Sequence, residues 1–125
     1  MLQIVTGRAS ELKFGVESAL ASYRYKVIVQ GLGWPLPTKN ELERDDFDRP
    51  DTVYIVAHDD MGEICGCSRL LSTTQPYLLS EIFPDLMGDA EVPCAAGIWE
   101  LSRFAISAPS NRKLTSAESW KNTCT

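Results

Sequence analysis

Leu12, Val16, Ala19, Leu20, Tyr23 and Val27 recur at steps of three and four residues behind Ser10, a favourable N-cap. That spacing predicts one amphipathic helix over about residues 10–30. Gly31-Leu32-Gly33 ends it, and Trp34-Pro35-Leu36-Pro37 cannot continue it, because proline lacks the amide donor a helix needs. From Asn40 to Pro50 the chain is charged and has no apolar period, which predicts a long connecting loop of the kind that often carries function. Thr52-Val53-Tyr54-Ile55-Val56-Ala57-His58 is rich in β-formers, Asp59-Asp60-Met61-Gly62 supplies turn chemistry, and Glu63 to Leu71 returns as a second strand, so a hairpin is expected. Leu78, Leu79, Ile82, Phe83 and Leu86 predict a short helix from Tyr77 to Leu86, followed by an irregular stretch from Gly88 to Gly97. A third strand then runs from Ile98 to Ile106. Alternation sets Glu100, Ser102 and Phe104 on one face and Trp99, Leu101, Arg103 and Ala105 on the other, unless a bulge re-aims one of the charged residues. There are no repeats and no low-complexity stretch.

With 125 residues, 44% of them hydrophobic, the chain can build one domain with a real core but not two. Twelve Lys and Arg against 17 Asp and Glu leave a net charge of −5, which argues against nucleic acid or an anionic membrane as the partner. No apolar run approaches the roughly 18 residues that span a bilayer, and Met1 to Arg8 lacks the basic start and apolar stretch of a leader. The expected location is therefore the cytoplasm. Cys65, Cys67, Cys94 and Cys124 match no zinc spacing. Cys65 and Cys67 share a strand face opposite His58, but two small buried thiols explain that pattern more simply than a metal site, so no metal is expected.

Candidate chemistry lies in charged residues set into apolar or aromatic segments: Arg24, Trp34, Asp45, Asp48, Arg69, Glu100 and Arg103. Singly, most have an ordinary explanation. An arginine on a helix flank usually snorkels to water, and acids in a loop are usually solvated. Arg69 and Glu100 carry more weight, because each interrupts an apolar strand where an unpaired charge would cost several kcal/mol, as an estimate. If the three cations and the carboxylates Asp45, Asp48 and Glu100 converge, their formal charges cancel, and they suit a small zwitterionic ligand.

The strings Tyr23-Arg24-Tyr25-Lys26-Val27, Leu32-Gly33-Trp34, Asp45-Asp46-Phe47-Asp48, Gly66-Cys67-Ser68-Arg69-Leu70-Leu71-Ser72-Thr73, Tyr77-Leu78-Leu79-Ser80-Glu81-Ile82-Phe83 and Trp99-Glu100-Leu101-Ser102-Arg103-Phe104 occur in the order and spacing of the acyl-homoserine-lactone synthases. From near residue 1 to about residue 107 the chain resembles these autoinducer synthases of bacterial quorum sensing. The resemblance implies an α/β (α+β) fold similar to the acetyltransferases, a mixed twisted sheet flanked by helices. It also implies S-adenosylmethionine as a substrate, no other cofactor, and an acyl carrier protein thioester as acyl donor. In that reaction the acyl group is joined to the amine of S-adenosylmethionine; lactone closure follows and methylthioadenosine leaves. By the same resemblance Glu100 is the expected general base, and Arg24, Ile28, Trp34, Phe83 and Arg103 are the substrate-binding positions. Asp45, Asp48 and Arg69, with Arg103, are the expected ion-pair network holding the N-terminal loop. Ile28 departs from the pattern, since the family usually has Phe there. Ile offers no π face, which would weaken binding by roughly 0.5–2 kcal/mol if that ring touches substrate.

Family members continue with further strands and helices that build the acyl pocket and the carrier-protein surface. Residues 108–125 do not resemble the segment that follows in the family. The expectation is a C-terminally truncated synthase domain over 1–107 with a divergent polar tail over 108–125. An unpaired sheet edge and exposed apolar surface would then favour instability or aggregation. The alternative is an inactive fragment that retains at most partial S-adenosylmethionine binding. An ordinary acetyl-coenzyme A acetyltransferase is disfavoured, because no Gly-rich pyrophosphate turn follows the third strand.

Overall fold

The computed structural model describes residues 2–107, so the expected tail at 108–125, with Cys124, lies outside the described residues. Four strands form one sheet in the order β1-β4-β5-β6: β1 (Gln3–Arg8), β4 (Val53–His58), β5 (Ile64–Ser72) and β6 (Trp99–Ile106). The α+β class expected from the sequence is what the structure has, and every pairing among the described residues is antiparallel. β2 (Thr38–Lys39) and β3 (Leu42–Glu43) form a separate two-stranded ribbon. One sheet face packs on helix α1 (Val16–Arg24), burying Leu20, Ile28, Tyr54, Val56, Cys67 and Ala105 in a single cluster. No helix among the described residues is long and apolar enough to cross a membrane.

The first helix begins later than its periodicity predicts. Ser10 falls in a short 3-10 turn, Ala9–Glu11, where the Glu11 carboxylate accepts a bond from the Arg8 amide at 2.8 Å. Gly15 then adopts φ +86°, a left-handed conformation that breaks the path before Val16. At its other end α1 widens into a π-helix over Tyr25–Gly31, which carries Ile28 into the core. Strand β1 was not anticipated. It is an edge strand without clean alternation, and its pairing with β4 from Gln3↔His58 to Arg8↔Val53 supplies what its side chains do not. The charged stretch after Trp34 is also less irregular than predicted, because Asn40 and Glu41, at φ 55° and 61°, turn β2 back onto β3.

The β4–β5 hairpin forms as expected, from Val53↔Leu70 to His58↔Ile64. Asp59 organises its turn by accepting the amides of Met61 and Glu63 at 2.9 and 3.1 Å. Between Tyr77 and Leu86 the predicted helix shrinks to α2 (Leu78–Glu81) and a 3-10 turn, Pro84–Met87. The decisive irregularity is in β6. Its register with β5 steps from Cys67↔Ala105 to Arg69↔Ser102, so an extra residue is accommodated, and Arg103 sits there at φ 53°. The bulge turns Arg103 to the side occupied by Arg69 and Ser102, instead of the opposite side that strict alternation gives.

Leu20 is 2% exposed in the core cluster, whereas Leu2 is 56% exposed. Leu20→Ala is expected to destabilise the fold by about 2–5 kcal/mol and Leu2→Ala by less than about 0.5 kcal/mol, compared by urea midpoints.

Candidate functional site

Arg24 ends α1, Glu43 ends β3, Asp45 and Asp48 follow in the loop, Arg69 is central in β5, and Arg103 occupies the β6 bulge. Their side chains close a ring of alternating charge. Arg24 donates to Glu43 at 2.7 Å and grips both oxygens of Asp48 at 2.7 and 3.0 Å. Arg103 donates to the same oxygen of Glu43, Oε1, at 2.9 Å and continues to Asp45 at 2.9 Å. Arg69 holds Asp45 at 2.6 Å and meets Asp48 at 3.3 Å, which returns the ring to Arg24. Each guanidinium therefore sits between two carboxylates and each carboxylate between two guanidiniums, the arrangement that best repays desolvation of buried charge.

Neutral donors complete the network. The Tyr54 hydroxyl donates to Asp48 at 2.7 Å, the Asp45 amide does so at 2.8 Å, and Arg69 Nε reaches the Ser102 hydroxyl at 3.0 Å. Asp45 also accepts the Phe47 amide, so the loop's backbone is fastened to the ring. Burial by itself would raise the Asp48 carboxyl, but the bonds and charge of Arg24, with the charge of Arg69, outweigh it and hold that carboxyl well below the usual range. Burial likewise works against the Arg24 cation, and Asp48 and Glu43 outweigh that too, so it stays charged. Burial, reinforced by Asp48, pushes the Tyr54 phenol up and keeps its proton in place as a donor. Beneath the ring Cys67 is buried, its thiol donates to the Arg103 carbonyl, and burial pushes it up to about 12, so it packs as an unreactive neutral group.

The third carboxylate of the ring is Glu43, not Glu100. Glu43 is completely buried, and the sequence did not single it out. Nothing local marks it among the charges of that loop; the signal available was that three interior arginines need three interior acids. Glu100 instead accepts the amides of Leu78 and Leu79, each at 2.9 Å, one on each carboxylate oxygen. That contact caps α2 and binds the 77–83 segment to β6.

Above the ring opens a cavity of about 870 Å³. Trp34, Leu36, Phe47, Leu78, Ile82 and Phe83 line it, Ser102, Arg103 and Asp45 expose the ring's edge to it, and Arg44 and Asp46 complete the charged part of the lining. Of the sequence-predicted positions, Trp34, Phe83, Arg103 and Asp45 thus share one cavity. Arg24 and Ile28, 2% and 1% exposed, lie behind it, the first inside the ring and the second in the core cluster.

Glu43→Gln leaves Arg24 and Arg103 short of a counter-charge and should destabilise the fold by about 3–5 kcal/mol, whereas Glu17→Gln, which cuts the exposed Arg44–Glu17 pair, should cost at most about 1 kcal/mol. Chemical denaturation separates the two. Asp48 also sets a pH dependence. An unfolded Asp takes up a proton near pH 4, and the folded one resists until well below that. Its contribution is complete above about pH 4 and is lost as pH falls further, so the urea midpoint should stay level from pH 7 to 5 and drop on acidification below about 4.

The autoinducer synthase family model matches residues 12–124. An acyl-homoserine-lactone synthase of Acinetobacter nosocomialis is 47% identical over 94% of this chain and 64% of its own length, and one of Ralstonia nicotianae is 50% identical over 84% and 52%. The chain thus spans about half to two thirds of the curated relatives it matches. Among solved structures, TofI in a ternary complex with an inhibitor and MTA superposes with a TM-score of 0.74 at 53% identity, covering 83% of this chain and 56% of that one. The synthase LasI superposes with a TM-score of 0.79 at 34% identity, covering 92% and 58%. BjaI, described as CoA-dependent and solved with SAM and isopentyl-CoA, superposes with a TM-score of 0.74 at 30% identity, covering 85% and 50%. With the family match running through nearly the whole sequence, the chain belongs to the autoinducer synthase family, whose relatives here are acyl-homoserine-lactone synthases.

Proposed function

We propose that this chain carries the S-adenosylmethionine-binding part of an acyl-homoserine-lactone synthase, with the Trp34–Phe83 cavity as the binding site. The observation that carries the reading is a charge-neutral ring of three arginines and three carboxylates at the edge of an aromatic-walled cavity, in a chain of this family. The ligand has an adenine ring, a sulfonium, an ammonium and a carboxylate. Aromatic walls suit the ring and the sulfonium. Arg103 at the ring's edge offers a donor for the carboxylate. Arg24, Asp45, Asp48 and Arg69 would serve by holding the 43–48 loop in place, and Ile28 would shape the site from the core side.

Glu100 is proposed as general base. Each of its oxygens accepts one amide bond and retains acceptor capacity for a proton from the ammonium, directly or through a water. The freed amine attacks the thioester carbonyl and the C–N bond forms; as the C–S bond breaks, the nitrogen's second proton passes to the thiolate, while the first, held by Glu100, returns to water. For lactone closure the substrate carboxylate attacks the γ-carbon and expels methylthioadenosine, which needs no base. The proposed donor is an acyl carrier protein thioester; the CoA-dependent relative BjaI makes acyl-CoA the competing assignment.

The test is mass spectrometry of lactone formed from S-adenosylmethionine and either acyl carrier protein thioester or acyl-CoA by the chain joined to the C-terminal half of a relative, beside the chain alone. Lactone from the carrier protein alone is expected, and lactone from acyl-CoA alone would overturn the donor assignment. Binding of S-adenosylmethionine without product from either donor would leave a binding module without turnover. Glu100→Gln should lower the rate about 10²–10⁴-fold at saturating S-adenosylmethionine in single-turnover kinetics; because the Gln NH2 cannot accept the second amide bond at the start of α2, calorimetry reads any loss of affinity separately.

A further inference from the structure

The cavity wall carries four ionisable side chains: Arg44, Asp45, Asp46 and Arg103. Three are already matched. Asp45 and Arg103 face each other at 2.9 Å within the neutral ring, and Arg44 is held by both oxygens of Glu17 at 2.8 and 2.9 Å. Asp46 has no ion pair or hydrogen-bond partner among the described residues, and it is exposed. Its backbone neighbours explain why it is so placed. Asp45 and Asp48 turn into the ring while the Phe47 amide is tied back to Asp45, so residue 46 is left on the outer side of a tight, fixed turn. The four lining charges sum to zero, but with Arg44 held by Glu17 and Arg103 by Asp45, Asp46 is the lining carboxylate without a fixed partner, in a cavity that Trp34 and Phe47 also line.

We propose that Asp46 is the selectivity group for a permanently cationic sulfonium in this cavity, an inference that rests on the S-adenosylmethionine reading above. A carboxylate beside aromatic faces attracts a poorly hydrated cation both by charge and through the ring quadrupoles. The sulfonium is a better fit than the ammonium. The ammonium already has a proposed carboxylate partner in Glu100, which takes its proton, whereas the sulfonium has none and keeps its charge until the last step. In that step the carboxylate oxygen bonds to the γ-carbon, the carbon–sulfur bond breaks, and its electron pair stays on sulfur, leaving a neutral thioether. Asp46 thus favours the charged substrate over the neutral by-product in the same space, which assists release as well as capture.

The experiment is isothermal calorimetry on the full 125-residue chain and on Asp46→Asn and Asp46→Glu, titrated with S-adenosylmethionine, with S-adenosylhomocysteine as the neutral thioether of the same skeleton, and with methylthioadenosine. The unmodified chain should prefer S-adenosylmethionine to S-adenosylhomocysteine by about tenfold at low salt, with the preference shrinking as salt rises. Asp46→Asn should lose most of that preference by weakening the cation alone, with the homocysteine and methylthioadenosine affinities within about twofold, and Asp46→Glu should retain it. Melting of Asp46→Asn should match the unmodified chain, since no partner is lost. An unchanged preference in Asp46→Asn would overturn the inference while leaving the binding site intact. No binding of any of the three to the unmodified chain would overturn the binding-site reading and the inference with it.

Discussion

The buried ring Arg24–Glu43–Arg103–Asp45–Arg69–Asp48 is the constraint on which the rest of this structure depends. Taking six ionised groups out of water is costly, and a single missing partner would leave a charge stranded. The alternating order resolves this, because no like charges need be adjacent. It also ties together α1, the β2–β3 ribbon with the following loop, and strands β5 and β6, which come from distant parts of the chain. Apolar packing would hold these elements together without fixing the loop's path. Directional bonds from guanidinium to carboxylate fix it, and that is what the cavity above requires.

That cavity inherits its electrostatics from the ring. Because the ring is neutral, its edge presents donors and acceptors without a large field, so a zwitterion can enter without a net penalty from it. The 77–83 segment is held by a different device, with Glu100 joining β6 to the start of α2 through the amides of Leu78 and Leu79. Arg49 adds a second tie, donating to the Pro76 carbonyl while its guanidinium lies over the Phe47 ring at 5.8 Å. Both ties run from a charged side chain to backbone groups of the 76–79 segment.

The hairpin and the third strand were legible because β-branched runs bounded by turn residues are local signals. The first helix was legible in existence but not in its start, since the apolar period runs across Gly15 and takes no account of a left-handed residue. Arg69 stood out because a charge in an apolar strand requires an explanation. Glu43 did not, because in a stretch already crowded with charges one more acid is unremarkable until its burial is known. For Arg103 the alternation rule pointed to the wrong face, and only the bulge corrects it.

The sequence by itself determined the first helix, the hairpin, the third strand, the family and the arginines that need partners, since propensity, periodicity and motif spacing are all written along the chain. Tertiary structure alone decided which acid answers which arginine. Glu43 rather than Glu100 closes the ring because the Asn40–Glu41 turn brings β3 under α1, while Glu100 is drawn to two free amides at the start of α2. Pairing of buried charges depends on distances of about 3 Å between segments far apart in sequence, and no local pattern encodes those distances.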